Sequence, residues 1–397
     1  MTTNSISPRH SPFIVATAGA FVIAAAMGIG RFAYTPLLPG MQETLGWSVA
    51  QAGDVASANY LGYMLGAMLA SLLVHRPQRH FGLLGGMFFS GLTTLACAWI
   101  TSYPLWLSLR FLSGVASAFC LVLGSAVVME LTARHSRPQL GSLYFGGLSL
   151  GIIGSVVIIE SARYLHYSIF AQWGLLGIMS LIMLALAWMV LRYHTRDSDS
   201  FLSQQSGQAE QSSSASLRGL IVAYGLFGFG YVVTATFIVA IARQFDNAEV
   251  LEPTTWLVVG LVGAPSIFIW QSLSTRIGVF KALRIAYAIE AIGVLLAGIA
   301  SSAFAVVLGG ALLGATFMAI TAMGLNAARQ VAGANQDKAI AWMTVSFGLG
   351  QLLGPALAGR MAEMTESFAA PSALAAVLLI VGMMLIKDQR MKVSPGN

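Results

Sequence analysis

The chain has 397 residues, of which 57% are hydrophobic and only 9% charged, with a mean hydropathy of +0.77. Soluble domains carry roughly 25% charged residues, so this composition excludes a water-soluble globular protein. A net charge of +6 would suit nucleic acid, but the basic residues are dispersed over short connections between apolar stretches, which excludes that partner.

From Pro12 onward the chain alternates long apolar runs with short polar ones. A bilayer-crossing helix needs about 20 mostly apolar residues, because its backbone polar groups must be satisfied internally across about 30 Å of hydrocarbon. Six spans are predicted at 13–38, 48–74, 81–101, 103–128, 140–162 and 167–191. The first is too long for the core of a signal peptide and is expected to stay attached. Cys97 and Cys120 fall inside spans, where a small apolar packing role is expected.

After the sixth span, hydropathy collapses through Thr195–Ser200 and the Ser/Gln-rich run from Ser203 to Ser214. Such a stretch cannot bury a core and reads as a flexible cytoplasmic linker over 192–217. Six more spans follow at 218–242, 253–273, 282–301, 303–326, 339–361 and 368–386. The expected organisation is an N-terminal six-helix bundle over 1–191 and a C-terminal one over 218–397, in the same orientation because six is even. Gly19, Gly28, Gly30, Gly114, Gly124 and Gly154 each recur as glycine 200 positions later, where about two coincidences are expected by chance, so parallel repeats are indicated. Sixteen of the 21 Lys and Arg fall on the side of the N-terminus and only Arg163, Arg243 and Arg360 on the other. That asymmetry predicts both termini in the cytoplasm.

Charge inside a span costs about 2.5 to 3.5 kcal/mol, so intramembrane ions are functional candidates. Arg31 in span one, Asp54 in span two and Arg110 in span four sit at similar depths below the outer surface and are expected to meet. Asp54 either neutralises an arginine or serves as the proton acceptor, and the surplus positive charge calls for an anionic substrate, a lipid-facing snorkel or another partner, of which a bound carboxylate is preferred. Tyr34, Asn59, Tyr60 and Tyr63 would line the site, with Tyr231, Thr234, Trp342 and Gln351 from the second half. Glu290 is expected in a packing or surface role. Glu130 and Glu160, at span ends, are expected to reach water. Pro265 and Gly354-Pro355 are expected to interrupt spans eight and eleven.

Arg110-Phe-Leu-Ser-Gly114-Val-Ala-Ser-Ala resembles the fourth-helix motif of the major facilitator superfamily. The loop signature between that superfamily's second and third helices is reduced here to His75-Arg76-Pro-Gln-Arg79-His80, without its acidic member. Gly28-Ile-Gly-Arg31-Phe-Ala-Tyr34-Thr-Pro-Leu-Leu-Pro39 and Ser57-Ala-Asn59-Tyr60-Leu-Gly62-Tyr63-Met-Leu-Gly66 resemble the YbfB/YjiJ-type subfamily. The resemblance implies an all-α polytopic protein of twelve transmembrane helices in two parallel-repeat bundles, acting as a transporter in a bacterial inner membrane. A central cavity would open alternately to each side.

The expected cargo is a small carboxylate-bearing anion held by Arg31 or Arg110, since arginine's planar fork suits that group. Substrate contacts are assigned to Arg31, Tyr34, Asn59, Tyr60, Arg110, Tyr231 and Gln351, and proton coupling to Asp54. The sequence contains no phosphate-binding G-x-x-x-x-G-K-[ST] loop, so the proton gradient is the expected energy source. Efflux of a drug or lipophilic cation is the competing reading. An intramembrane hydrolase is the more distant one, on Gly147-Leu-Ser149-Leu-Gly151, which lies inside an apolar run where its strand-to-helix turn has no place. All six histidines lie in loops or at span ends, so neither catalysis nor a metal is expected. No cofactor is expected either, and a monomer in lipid is.

Overall fold

The computed structural model describes residues 11–74, 78–135, 137–192 and 214–387. Within these, every regular element is helical. Twelve helices run in order as α1 (Pro12–Leu45), α2 (Val49–Leu73), α3 (Arg79–Trp99), α4 (Tyr103–Arg134), α5 (Ser142–Tyr164) and α6 (Ile169–Leu191), then α7 (Ser214–Ala242), α8 (Ala248–Ile277), α9 (Val279–Gly298), α10 (Ala303–Ala332), α11 (Gln336–Thr365) and α12 (Ala369–Leu385). Ten are long and apolar enough to cross a membrane. Of the other two, α9 carries Lys281, Arg284 and Glu290, and α12 has 17 residues. His75-Arg76 and the 193–213 part of the expected linker lie outside the described residues.

Small residues set the packing. In lipid, helices associate through close backbone approach rather than through a hydrophobic drive. A Cβ on Gly62 would lie 2.0 Å from Phe111 O, and one on Gly114 would lie 2.0 Å from Asn59 O, so α2 and α4 meet backbone to backbone. The same contact recurs 200 positions on, where Gly314 of α10 faces Val259 O of α8 at 2.5 Å. Gly147 and Gly151 likewise press α5 onto Ala20 O and Ala24 O of α1, at 2.1 and 2.3 Å. The G-x-S-x-G string is thus a helix-packing stripe. Cys97 and Cys120 are buried, unlinked thiols.

The helices up to Leu191 pack chiefly among themselves, as do those from Ser214, and the two sets join through α2 with α11, α5 with α8, and α1 with α7. Gly53 permits the first junction, since a Cβ there would lie 2.3 Å from Pro355 O. Large apolar side chains such as Leu72, Phe81, Phe88 and Phe89 point outward, as lipid contact requires.

Three expectations about helix ends need correction. α1 does not stop near Pro39: it restarts as a regular helix at Tyr34 and continues through Pro39 to Leu45. Arg31 is therefore fourteen residues from the far end of α1, roughly 21 Å at 1.5 Å per residue. Asp54 is only five residues into α2, roughly 8 Å from that end. Likewise α8 and α11 run unbroken through Pro265 and Pro355.

Candidate functional site

The centre of the site is a defect in α1. Between Ala24 and Ile29 the helix widens to π geometry, with Gly30 N donating to Ala25 O (2.8 Å) and Phe32 N to Met27 O (3.0 Å). Thr35 N then turns to Phe32 O (3.2 Å) rather than to Arg31 O, and Pro36 has no N–H to offer Phe32. Carbonyls freed in this way inside a membrane must find other donors. Arg110 supplies them: Nη1 donates to Gly30 O (2.6 Å) and Nη2 to Arg31 O (3.0 Å), with Ser113 Oγ adding a bond to Gly30 O (3.3 Å). Asn59 Nδ2 donates to Arg110 O (2.9 Å) and ties α2 to the same place. Both Nη groups of Arg110 are thereby engaged by main chain.

Arg31 differs. Its guanidinium is buried between the rings of Tyr60 and Tyr63, 4.4 and 4.2 Å from their centroids. Nε and Nη2 are buried without a hydrogen-bond partner, and no carboxylate pairs with it among the described ion pairs. Aromatic faces attract the cation, and the Tyr60 and Tyr63 hydroxyls lie within reach of the guanidinium, but neither answers Nε or Nη2.

An aromatic cluster completes the centre from the other side. Tyr231 of α7 stacks nearly parallel with Phe347 of α11 (5.8 Å, 3°) and with Phe317 of α10 (6.0 Å, 12°). Phe317 also touches Phe32, which neighbours Arg31 in the chain. The Tyr231 hydroxyl pairs with Gln351 Nε2, leaving Gln351 Oε1 as a buried, unused acceptor. Thr234 Oγ1 is buried and unpartnered as well.

Of the residues expected at the site, Arg31, Tyr60 and Tyr63 converge, and Tyr231 with Gln351 faces them from the second set. Tyr34 is buried and donates its hydroxyl to Ala52 O (2.8 Å), a bond between α1 and α2. Trp342 lies on an exposed face. Asp54 does not join the arginines. Arg360 of α11 grips it with both Nη groups, at 2.7 and 3.0 Å, and Tyr103 donates a longer bond of 3.4 Å. The difference in depth between Arg31 and Asp54 is the reason.

Arg360 belongs to a seam along the far end of the bundle. There Arg163 of α5 donates to Glu252 of α8 (3.2 Å), and Arg243 bonds both Glu252 (2.5 Å) and Glu43 of α1 (2.7 Å). Glu363 of α11 accepts from Ser48 Oγ (3.0 Å) and Ala50 N (3.1 Å), lying at the N-terminus of α2 where an anion is favoured. Thr35 Oγ1 donates to Ala235 O (2.6 Å). Arg163, Arg243 and Arg360 were not expected at the site. Yet they are the three basic residues standing against the charge asymmetry, and each reaches across between the two sets of helices.

One carboxylate departs from expectation, and a second takes the packing alternative rather than the surface one. Glu130 does not reach water: it is buried at the opposite end, held by Arg79 (2.6 Å) and Arg134 (2.5 Å). The fourth helix thus provides the carboxylate that the loop before Arg79 lacks. Glu290 is fully buried rather than at a surface. Glu160 is partly exposed and pairs with Arg163, as its place at a span end suggested.

Twelve helices, ten of them long and apolar enough to cross a membrane, pack in two sets around a polar and aromatic centre, and the family that this chain matches is one of transporters rather than enzymes. The chain belongs to the family described as "Uncharacterised MFS-type transporter YbfB", whose model matches residues 23–387. Among curated relatives, the uncharacterised MFS-type transporter YhhS of Escherichia coli K12 is 27% identical over 385 residues, covering 90% of this chain and 88% of that protein. The 4-hydroxybenzoate transporter PcaK of Pseudomonas aeruginosa is 29% identical over 132 residues, 33% of this chain and 30% of that one. In fold, the chain superposes on a mutant form of the nucleoside transporter NupG with a TM-score of 0.76 at 14% identity, covering 95% of this chain and all of the other.

Proposed function

We propose that this protein is a secondary active transporter of the bacterial inner membrane, with both termini cytoplasmic, that carries a small organic anion on Arg31. The observation that supports this reading is a buried guanidinium with two unused N–H donors and no carboxylate partner, beside an aromatic cluster contributed by the second set of helices. A carboxylate answers the fork, and an apolar or aromatic body suits the rings. The partial relative PcaK is named for 4-hydroxybenzoate, an anion of that kind. Arg110 is a positioning residue that keeps the Arg31 backbone in place, and Tyr60, Tyr231, Gln351 and Asn59 complete the pocket. A lipophilic cation would instead favour an acidic pocket.

The two sets of helices alternate access by rocking about this centre, and the seam is the contact that opens. Asp54 couples the proton: protonation removes the charge that Arg360 grips and loosens the α2–α11 junction. The test begins with thermal stabilisation of purified protein by benzoate, 4-hydroxybenzoate and a cationic dye. Stabilisation by an aromatic acid, lost equally in Arg31→Ala and Arg31→Lys, is expected. Dye binding that survives in Arg31→Ala, with no anion competing, overturns the anion reading. Proteoliposomes with an imposed pH gradient then compare wild type with Asp54→Asn, and undiminished accumulation in the variant removes the proton role from Asp54.

A further inference from the structure

Among the described residues, the buried or half-buried carboxylates meet an arginine with one exception: Asp54 meets Arg360, Glu130 meets Arg79 and Arg134, Glu160 meets Arg163, and Glu252 meets Arg163 and Arg243. The exception is Glu290, fully buried where α9 packs on α7, α10 and α12. Its Oε2 is hydrogen-bonded with the Thr316 hydroxyl of α10, and its Oε1 has no partner. The titratable group facing it is Tyr287 on α9 itself, whose hydroxyl is already donated to Ala223 O of α7 (3.1 Å). No described ion pair brings a cation to Glu290 from any of these helices, and α12 contributes apolar and small residues.

Thr316 narrows the chemistry further. Its Oγ1 lies 2.6 Å from Leu312 O, one turn back on α10, as well as against Glu290 Oε2. A hydroxyl has one hydrogen. If that hydrogen serves Leu312 O, the hydrogen between Oγ1 and Oε2 must come from the carboxyl. An isolated buried carboxylate is also among the costliest groups in a protein interior, and neutralisation relieves that cost. A sodium ion fits poorly, because two side-chain oxygens are far fewer than the set of oxygens hard cations gather.

We infer that Glu290 is a proton-binding site within the C-terminal helices, separate from Asp54, which takes up and releases a proton to water through its Oε2. In the loaded form the acid donates to Thr316 Oγ1 while Thr316 donates to Leu312 O. On release the Thr316 hydrogen swings to Oε2, so the anion keeps one donor. This goes beyond the transport reading, and its test uses no cargo, so either can fail alone.

Infrared spectroscopy of the full-length protein in lipid, titrated with acid and base alone, tests it. Wild type is expected to show a protonated-carboxyl C=O band at neutral pH that is lost in Glu290→Gln, changes frequency in Thr316→Val and bleaches reversibly in alkali while the helices stay folded. A spectrum unaltered in Glu290→Gln overturns the inference. So does a band that persists until unfolding, which would mark a fixed packing acid. Should Glu290→Gln not fold, the Thr316→Val frequency decides: an unmoved band overturns the assignment.

Discussion

Arg31 and Arg110, the buried arginines at the centre, should respond to mutation in opposite ways. Arg110 donates two charge-assisted bonds to carbonyls that the α1 defect leaves free. Hydrogen bonds to charged groups contribute about 1.5–3 kcal/mol each, and each orphaned buried acceptor costs about 1–3 kcal/mol. Ser113 keeps a weak hold on Gly30 O at 3.3 Å, and removing a buried charge recovers some desolvation energy. Arg110→Ala should therefore lose about 3–5 kcal/mol, in line with breaking other buried charged contacts. Arg110→Lys, reaching one carbonyl instead of two, should lose about 1.5–3 kcal/mol. Arg31→Met removes ring contacts with Tyr60, Tyr63 and, at longer range, Phe32, about 0.5–2 kcal/mol each, and relieves a desolvation penalty of several kcal/mol. It should be as stable as wild type or more so, while losing anion binding. Equilibrium unfolding in mixed micelles, followed by tryptophan fluorescence, measures both. The reasoning fails if Arg110→Ala unfolds within about 1 kcal/mol of wild type, below the net value of one charged bond, or if Arg31→Met is destabilised as much as Arg110→Ala.

Other tests address the seam and the packing stripe. Glu252→Gln leaves Arg163 and Arg243 without their shared buried anion, and hydrogen exchange in α8 and at the far end of α7 should rise while α3 and α4 remain protected. Cysteines replacing Glu43 and Arg243, whose long side chains meet at 2.7 Å, should be joined by a reducible bis-thiol crosslinker long enough to replace those side chains and stop transport, with reduction restoring it; failure to form the link would show that the seam is open in the resting protein. Gly114→Ala forces a Cβ onto Asn59 O and should cost about 1–3 kcal/mol, whereas Gly154→Ala meets nothing within 4 Å and should be neutral by the same unfolding measurement.

Much of this architecture is legible in the primary structure because lipid imposes one rule, satisfaction of backbone groups within each helix. The 200-residue offset among glycines has a physical basis: Gly114 against Asn59 and Gly314 against Val259 are one packing contact repeated. Glu43 with Arg243, and Thr35 with Ala235, are counterparts that touch each other across the two sets. Other features lay beyond local pattern. Nothing in the apolar run from Ala24 to Ile29 announces a π turn, so the employment of Arg110 on backbone carbonyls was invisible. Pro39 suggested an end to α1 that tertiary packing overrides, which misplaced the depth of Arg31. The partner of Asp54 lies 306 positions away, and Arg360 read as a loop charge. Gly230 belongs to the repeat yet packs on Leu379 of α12, so it would report poorly on access to the centre.

The defect in α1 divides one helix between two allegiances. Its first segment, Pro12–Ile23, lies against Gly147 of α5. Its last, Tyr34–Leu45, is moored to the opposite set through Thr35 and Glu43. Arg31 stands at the joint between these two rods, with Arg110 as the rivet. On the proposed reading, an anion seated on Arg31 would load the joint itself, so occupancy and leverage on the seam would be applied at a single residue.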